Sequence, residues 1–350
     1  MATIFVQCDD AAAPTLTLAT HAGRSAAAPP GEGDVLLDIS WSSLNYKDAL
    51  CLKGDRGVAR ISPLIPGIDA VGTVREAGPD SPVHPGQLVS VNGAGLGEFH
   101  HGGYTPLLRV PGDACVPVPE VFSAAQAAAL GTAGYTAALC VLALEERAAA
   151  APAAPHGAAA EKHSGARKDG PVLVTGASGG VGSIALHLLA QLGYEPIALT
   201  GRAERFGNFL RGLGATEVLA RSELEAPSAR PLQKARFAGG VDTVGGQVLA
   251  NLLARTRWGG TVAACGLAGG TALPTTVLPF ILRGVTLAGV DSVRAPRALR
   301  LRAWELLAAH VDVGVLDSLT HVIDLADVPE AGRELLAGQR YGRTAVRITP

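Results

Sequence analysis

The chain is poor in cysteine, in aromatic residues and in net charge. Its 350 residues include 5 cysteines, 4% aromatic residues and 29 basic against 31 acidic residues, which give a formal net charge of -2. The cysteines lie far apart and form no C-x-x-C pair, which excludes a structural zinc lobe and indicates a reducing compartment. The balanced charge gives no electrostatic reason to expect nucleic acid or an anionic membrane as a partner.

The sequence also lacks a clear leader or membrane span. The start, MATIFVQCDD, has no basic region followed by an apolar core, so we expect no secretory signal and a cytoplasmic protein. Residues 123–144 are uncharged and nearly long enough to cross a bilayer. Ala and Gly dominate them, and Ser123 with Gln126 forms a capping-box pattern, so we expect buried helices.

Two parts of the chain differ in their apolar pattern. Residues 1–120 contain short β-rich runs between Pro and Gly turns, which predict a mostly β domain. From residue 171, short apolar runs alternate with stretches that can be helical, which predicts an α/β fold with a doubly wound parallel sheet. We place a catalytic domain at 1–122 and 294–350 and a nucleotide-binding Rossmann domain at 123–293. Within the latter, residues 145–170 are expected to form an inserted flexible loop.

The sharpest local motif is VTGASGGVG, residues 174–182. A strand pattern precedes Gly176, Gly179 and Gly182, and an amphipathic helix pattern follows them. Glycine permits the tight turn, the approach of a pyrophosphate to backbone N–H groups and close packing of the helix on the sheet. Three glycines also occur in ordinary turns, but the flanking strand and helix favour dinucleotide binding at the helix N-terminus.

The end of the next strand predicts which dinucleotide binds. NAD enzymes usually place an acid there for the ribose hydroxyl, whereas this chain has Thr200, Gly201 and Arg202. Hydroxyl, backbone and guanidinium donors suit the 2′-phosphate of NADPH. The alternative is an Arg on a surface turn, and the nearby Glu204 weakens the inference, but we expect NADPH.

The order of the motifs resembles the medium-chain dehydrogenase/reductase superfamily. The matching blocks are WSSLNYKDAL, PLIPGIDAVGTV, GTAGYTAALC, VTGASGGVG and GRTAVRIT. Zinc-dependent members have a His-Glu pair after the Pro-Gly, where this chain has Ile68 and Asp69, so we expect no metal. Within the zinc-free branch the blocks are similar to the acrylyl-CoA reductase group, which implies a GroES-like catalytic domain beside the Rossmann domain.

This resemblance implies NADPH-dependent reduction of the carbon–carbon double bond of acrylyl-CoA to give propionyl-CoA. Negative charge develops on the thioester oxygen during hydride transfer, so a metal-free site needs other donors for that oxygen. The NYKD run makes Asn45 and Tyr46 candidates for orienting the substrate, and Tyr46 also a candidate contact of the nicotinamide. Asp69 is expected either to anchor its loop or Lys47, or to transfer a proton.

The resemblance also assigns cofactor contacts by position. At the phosphates and the adenosine these are Ser178, Gly179, Gly180, Val181, Thr200, Gly201, Arg202 and Arg221. At the nicotinamide end they are Leu267, Ile281, Ser292 and Arg343. The CoA phosphates could meet Arg294, Arg297, Arg300 and Arg302. That arginine cluster also fits the solvated face of a helix after Pro296, which is the interpretation we favour.

Two alternative functions fit the same chain. A quinone or an α,β-unsaturated ketone could accept the same hydride, and a non-catalytic NADPH-binding protein would keep the glycine turn beside an eroded site. The NYKD run is as complete as the glycine turn, which disfavours the second alternative. The apolar stretch TALPTTVLPFILRGVTLAGV falls where relatives pair sheet edges, which hints at a homodimer, although it fits an internal strand and helix equally well.

Overall fold

The computed structural model describes residues 2–8, 14–20, 30–150 and 170–349. It divides into two compact units, one comprising Met1–Tyr135 and Ser292–Pro350 and the other Thr136–Asp291. The domain limits taken from the sequence stay a prediction, because compactness alone does not show where a unit folds independently. Most of the predicted loop at 145–170 lies outside the described residues, and its first residues continue a helix.

The elements are numbered in chain order. The strands are β1 (Ala2–Gln7), β2 (Thr15–Thr20), β3 (Val35–Ser43), β4 (Asp69–Ala77), β5 (Leu88–Asn92), β6 (Leu107–Val110), β7 (Cys115–Pro117), β8 (Pro171–Thr175), β9 (Glu195–Thr200), β10 (Glu217–Ala220), β11 (Phe237–Asp242), β12 (Thr256–Ala264), β13 (Thr286–Gly289), β14 (Thr320–Asp324) and β15 (Arg343–Arg347). The helices are α1 (Tyr46–Leu52), α2 (Ala124–Ala150), α3 (Gly180–Gln191), α4 (Ala203–Gly212), α5 (Ser222–Glu225), α6 (Gly246–Arg255), α7 (Leu278–Arg283), α8 (Arg297–His310), α9 (Val313–Ser318) and α10 (Val328–Leu336).

The first unit is built on a mixed, mostly antiparallel sheet. Its strand order is β14-β15-β3-β4-β5-β7, with β6 also paired to β3. Alternate residues of β3, namely Val35, Leu37 and Ile39, are buried in one apolar core with Val89 and Val91 of β5. This alternation is what a strand with one face on a core requires, and it fixes the register of the sheet.

Helix α2 carries the long uncharged segment. The predicted capping box is confirmed, since Ser123 N donates to Gln126 Oε1 at 2.9 Å and Gln126 N donates to Ser123 Oγ at 3.2 Å. Residues Ala124–Arg147 are long and apolar enough to cross a membrane, but 83% of their most apolar window is buried inside the protein. That burial fits a core helix, as the sequence predicts.

The second unit is a parallel sheet in the order β10-β9-β8-β11-β12-β13. The chain winds outward from β8 to β10 and then from β11 to β13 on the other side. The strand order therefore reverses between β8 and β11, which is where doubly wound folds bind ligands at the carboxyl ends of their strands. This topology confirms the predicted α/β fold.

Candidate active site

Four strand ends of the first unit meet around Asp69. Asp69 begins β4 and lies opposite Asn92, the last residue of β5. Ser43 ends β3, and Arg343 begins the neighbouring strand β15. Sheet register therefore brings together residues that are far apart in the sequence.

Asp69 is a fully buried carboxylate that accepts five hydrogen bonds. Its Oδ1 accepts from Asn92 Nδ2 at 2.7 Å and from Thr132 N and Oγ1 at 2.8 and 2.7 Å. Its Oδ2 accepts from Asn45 Nδ2 at 2.8 Å and from the Ser43 hydroxyl. Because each of these partners donates, the arrangement suits an ionised carboxylate, which only accepts.

A break in α2 supplies two of the contacts in this network. Gly131 has φ +47° and ψ -155°, and a Cβ there would lie 2.6 Å from Asp69 Oδ2, so this position requires glycine. The break turns the amide of Thr132 toward Asp69 and leaves Ala129 O to accept from Arg343 Nε at 2.5 Å. An unbroken helix would pair both backbone groups within its own ladder.

Arg343 is a buried cation with one open donor. Only 3% of the residue is exposed, and its Nη1 donates to Asn45 Oδ1 at 3.2 Å. Its Nη2 is buried and has no hydrogen-bond partner among the residues that the structure describes. Burial lowers the pKa of the guanidinium, and the nearby charges of Asp69 and Asp48 oppose that shift. A buried donor without a partner costs free energy, so this nitrogen is suited to bind a ligand oxygen.

The residues of the NYKD run lie in different environments. Asn45 is 9% exposed and joins Asp69 in the buried network, whereas Tyr46 begins α1 with 51% of its surface exposed. Lys47 pairs with Glu98 at 2.8 Å and not with Asp69, so of the two anchoring alternatives for Asp69 the one through Lys47 is wrong and the one through its own loop stays a prediction. The proposed proton transfer by Asp69 stays a prediction. We use the name Asp69 cluster for the residues Ser43, Asn45, Asp48, Asp69, Asn92, Thr132 and Arg343.

The glycine turn of the second unit follows β8. Gly176 has φ +61°, and a Cβ there would lie 2.2 Å from Thr243 Oγ1. A Cβ on Gly182 would lie 2.4 Å from Gly176 O, so the turn and the start of α3 both require glycine. The helix begins at Gly180, and the amides of its first turn have no acceptor within the helix. Ser178, Gly179, Gly180 and Val181 thus form a turn that can bind phosphate through its backbone.

Three of the predicted cofactor residues lie in direct contact. Ser178 Oγ and Thr200 Oγ1 are 2.9 Å apart, and Arg202 Nη2 donates to Ser178 Oγ at 2.7 Å. The Arg202 guanidinium lies 4.7 Å from the centroid of the Phe206 ring. Burial, and then the charge of Arg205, lower the pKa of Arg202. This arrangement holds two hydroxyls and a cation at the end of β9.

The remaining predicted cofactor residues are more scattered. The Arg221 guanidinium carbon lies 3.6 Å from the position of a Cβ on Gly201, and Arg221 pairs with Glu225 at 3.3 Å. Leu267 and Ile281 are 64% and 68% exposed. Their contact with a cofactor stays a prediction.

The arginine cluster near α8 is not one solvated face. Arg300 is only 4% exposed and donates to the carbonyls of Asn92 and Val293, each at 2.7 Å. A third bond, at 3.4 Å, reaches the carbonyl of Ser292, another predicted cofactor residue. The prediction of a solvated helix face is therefore wrong for Arg300, because backbone carbonyls satisfy its charge.

Four partners that organise the site were not predicted from the sequence. These partners are polar and partly or fully buried, and they are Ser43, Asp48, Asn92 and Thr132. The resemblance implied a role only for Asn45, Tyr46 and Asp69 in this region. The available signal was positional, since these side chains stand at strand ends, at a helix start or directly after a glycine. A polar residue at such a position is commonly satisfied by a distant partner.

Comparisons with known proteins agree with this architecture. Residues 31–120 match the alcohol dehydrogenase GroES-like domain and residues 180–309 match the zinc-binding dehydrogenase family. The chain is 47% identical over 318 residues to the probable acrylyl-CoA reductase AcuI of Escherichia coli, covering 91% of this chain and 92% of that protein. It is 45% identical over 316 residues to the acrylyl-CoA reductase AcuI of Ruegeria pomeroyi, covering 90% of each. The crystal structure of the yhdH oxidoreductase from Salmonella enterica in complex with NADP matches with a TM-score of 0.88 at 44% identity, covering 100% of both chains.

The second family is named for zinc, but the Asp69 cluster does not fit that metal. Within the described ranges, no group of three or more His, Cys, Asp or Glu side chains could hold a metal ion. The oxygens of Asp48 and Asp69 accept hydrogen bonds from N–H and O–H groups. The groups that face these two carboxylates are therefore donors, which offer no lone pair to a metal. Zinc binds the opposite kind of group, namely nitrogen, sulfur and oxygen lone pairs.

Proposed function

This chain belongs to the acrylyl-CoA reductase and quinone oxidoreductase group of the medium-chain dehydrogenase/reductase superfamily, and from that membership we propose that it reduces the double bond of acrylyl-CoA with NADPH. NADPH supplies a hydride to the β-carbon when it is bound. A proton then reaches the α-carbon, so acrylyl-CoA, NADPH and one proton give propionyl-CoA and NADP⁺. The two AcuI relatives carry this activity in their names.

The open donor of Arg343 is the observation that best supports this proposal. During hydride transfer, negative charge builds on the thioester oxygen and must be stabilised by fixed donors. Arg343 Nη2 is a buried cationic donor without a partner among the described residues, so it would bind that oxygen, without a metal, once substrate binding exposes it. Both ends of the Asn45 amide are already hydrogen-bonded inside the Asp69 cluster. Asn45 therefore acts by holding Arg343, while the exposed Tyr46 is the candidate for touching substrate or nicotinamide.

The pocket at the end of β9 supports NADPH as the donor. Ser178, Thr200 and Arg202 contact one another, and none of them is the acid that binds a free ribose hydroxyl. A 2′-phosphate would accept hydrogen bonds from all three side chains. The Salmonella enterica structure, which contains NADP, has the same fold at 44% identity.

Replacing Arg202 by Ala is expected to raise KM for NADPH by about 10- to 100-fold and to leave KM for NADH within about twofold, because a charge-assisted bond to the 2′-phosphate is lost. Steady-state kinetics with both cofactors measure this. Arg205→Ala removes an exposed neighbouring charge and serves as the matched control, with little change for either cofactor. An equal rise of both KM values would place Arg202 outside the 2′-phosphate pocket.

The acceptor is tested by following NADPH oxidation with acrylyl-CoA, with a simple quinone and with an α,β-unsaturated ketone, each with and without a chelator. Fast turnover with acrylyl-CoA that survives the chelator is the expected result and supports catalysis without zinc. Turnover confined to the quinone or the ketone would move the function to the alternative acceptor. An absence of turnover would favour a non-catalytic NADPH-binding protein.

We also propose a cytoplasmic homodimer, with neither membrane nor nucleic acid as a partner. Strand β13 ends the parallel sheet of the second unit, and its edge is open within the described part of the chain. Nearby apolar side chains are strongly exposed: Val277, Ile281 and Leu282 at 64%, 68% and 60%. An open edge with apolar neighbours favours pairing with a second copy. Light scattering would then give twice the chain mass of 35.5 kDa, whereas a single chain mass would overturn the dimer.

A further inference from the structure

Asp48 is a buried acid that has no role in the reaction as proposed so far. It stands in the first turn of α1 and has no exposed surface. Its Oδ1 accepts from Ile68 N at 2.8 Å, and its Oδ2 accepts from Asn45 N at 2.8 Å and from Asn45 Nδ2 at 3.1 Å. All three partners are N–H donors, so the contacts match the ionised carboxylate.

The Asn45 amide connects this acid to Arg343. Its Nδ2 faces the oxygens of Asp48 and Asp69, and its Oδ1 accepts from Arg343 Nη1 at 3.2 Å. The two ends of an amide have nearly the same shape, so their orientation is set by their partners. A reversed amide would point Nδ2 at the guanidinium, where two donors would face each other.

A proton on Asp48 would change this balance. A proton on Oδ2 places an O–H donor beside Asn45 N and Nδ2, which weakens Oδ2 as their acceptor. Asp69 Oδ2 still accepts from Asn45 Nδ2 at 2.8 Å, so the amide moves away from Asp48 without reversing. The same movement shifts Asn45 Oδ1, which accepts from Arg343 Nη1 at 3.2 Å. The charge of Asp48 is therefore coupled to the position of the guanidinium through one side chain.

The groups around Asp48 come from several elements. Asp69 on β4 and Arg343 on β15 are its charged neighbours, and Cys51 on α1 and Tyr104 before β6 are its titratable ones. Burial, and then the charge of Asp69, raise the pKa of Asp48 to about 7, although the bonds from Asn45 and Ile68 oppose that rise. Burial also raises the pKa values of Cys51 and Tyr104, so both stay neutral where Asp48 titrates.

We propose that ionised Asp48 is a positioning residue which, through the Asn45 amide, holds the Arg343 guanidinium in place to bind the thioester oxygen. This inference rests on the proposed function, because Arg343 is assigned there to the substrate. Asp48 is ionised above its pKa and protonated below it. Activity is therefore present above about pH 7 and is lost as the pH falls through that value.

The test is the pH profile of kcat/KM for acrylyl-CoA at saturating NADPH, for the wild type and for Asp48→Asn. The wild type is expected to lose about tenfold or more between about pH 8.5 and 5.5, as one required ionisation is removed. Asp48→Asn is expected to give a nearly flat profile close to the low-pH rate of the wild type. The phosphates of both ligands titrate equally in the two experiments. The ratio of the kcat/KM values of the two proteins at each pH therefore shows the effect of Asp48 alone. Asp80→Asn, an exposed acid-to-amide change in the same unit, is the control.

Two outcomes would overturn the proposal: Asp48→Asn keeping the wild-type fall with pH, or its rate at pH 8.5 staying within about twofold of wild type. Should Asp48→Asn fail to fold, Asn45→Ala decides the question, because it keeps Asp48 but removes the link. Its profile is expected to lose the fall near pH 7, and a retained fall would overturn the proposal. If the wild type does not reduce acrylyl-CoA at any pH, the proposed function has failed, and the same profiles are measured with the acceptor that it does reduce.

Discussion

Replacing Asp69 by Asn is expected to lower the free energy of unfolding by about 3 kcal/mol and kcat/KM by about 100-fold. Asp69 accepts from five donors, and an amide offers one acceptor oxygen and one donor nitrogen in place of two oxygens. With its N–H₂ group at the Oδ1 position the new amide faces the backbone N–H of Thr132, which cannot reverse, and at the Oδ2 position it faces Asn45 Nδ2. The substitution also displaces neighbours of Asp69, among them Asn45. Because Asn45 holds Arg343, we expect activity to fall together with stability.

The two effects are measured by thermal unfolding and by steady-state kinetics with acrylyl-CoA. A loss of about 3 kcal/mol corresponds to a fall in Tm of about 6 °C or more for a unit of this size. The exposed Asp80→Asn change should alter neither quantity. A variant Asp69→Asn with wild-type Tm and activity would show that the hydrogen bonds to this carboxylate do not organise the site.

Replacing Arg343 by Lys is expected to lower kcat/KM for acrylyl-CoA by about 100- to 1,000-fold while KM for NADPH stays within about twofold. Lysine keeps the positive charge, but its three N–H donors are all on one nitrogen. They therefore cannot replace the three separate nitrogens with which Arg343 meets Ala129 O, Asn45 Oδ1 and a ligand. The expected loss of kcat/KM therefore arises in the step in which charge develops on the thioester oxygen.

Arg347→Lys is the matched control for this change. It lies on the same strand and forms an exposed pair with Asp324 at 3.1 Å, so its replacement should leave both kinetic constants unchanged. The resemblance to relatives assigns Arg343 to the cofactor instead. A large rise in KM for NADPH with an unchanged kcat would support that assignment and contradict binding of the substrate oxygen by Arg343.

The sequence predicted the second unit well because its signals are local. A glycine triplet between a strand and a helix, and the alternation of strand and helix patterns, both arise within a few dozen residues. The contact of Ser178 with Thr200 and Arg202 follows from adjacent parallel strands, since their carboxyl ends lie side by side. Local pattern and topology therefore predict the same cofactor site.

The Asp69 cluster could be predicted only in part, because its contacts are long-range. Asn45 and Arg343 are 298 positions apart and meet through the pairing of β3 with β15. The break at Gly131 lies inside an otherwise helical apolar run, and no local pattern shows that it would expose the Thr132 amide to Asp69. Burial of Arg300 is hidden for the same reason, since carbonyls from Asn92 and Val293 satisfy it.

The most direct test of the account uses NADPH with both hydrogens at C4 of the nicotinamide replaced by deuterium, together with acrylyl-CoA and the purified protein. The expected product is propionyl-CoA that carries one deuterium on its β-carbon, identified by mass spectrometry and NMR. Oxidation of the labelled NADPH with acrylyl-CoA recovered unchanged, or propionyl-CoA without deuterium at that carbon, would contradict it.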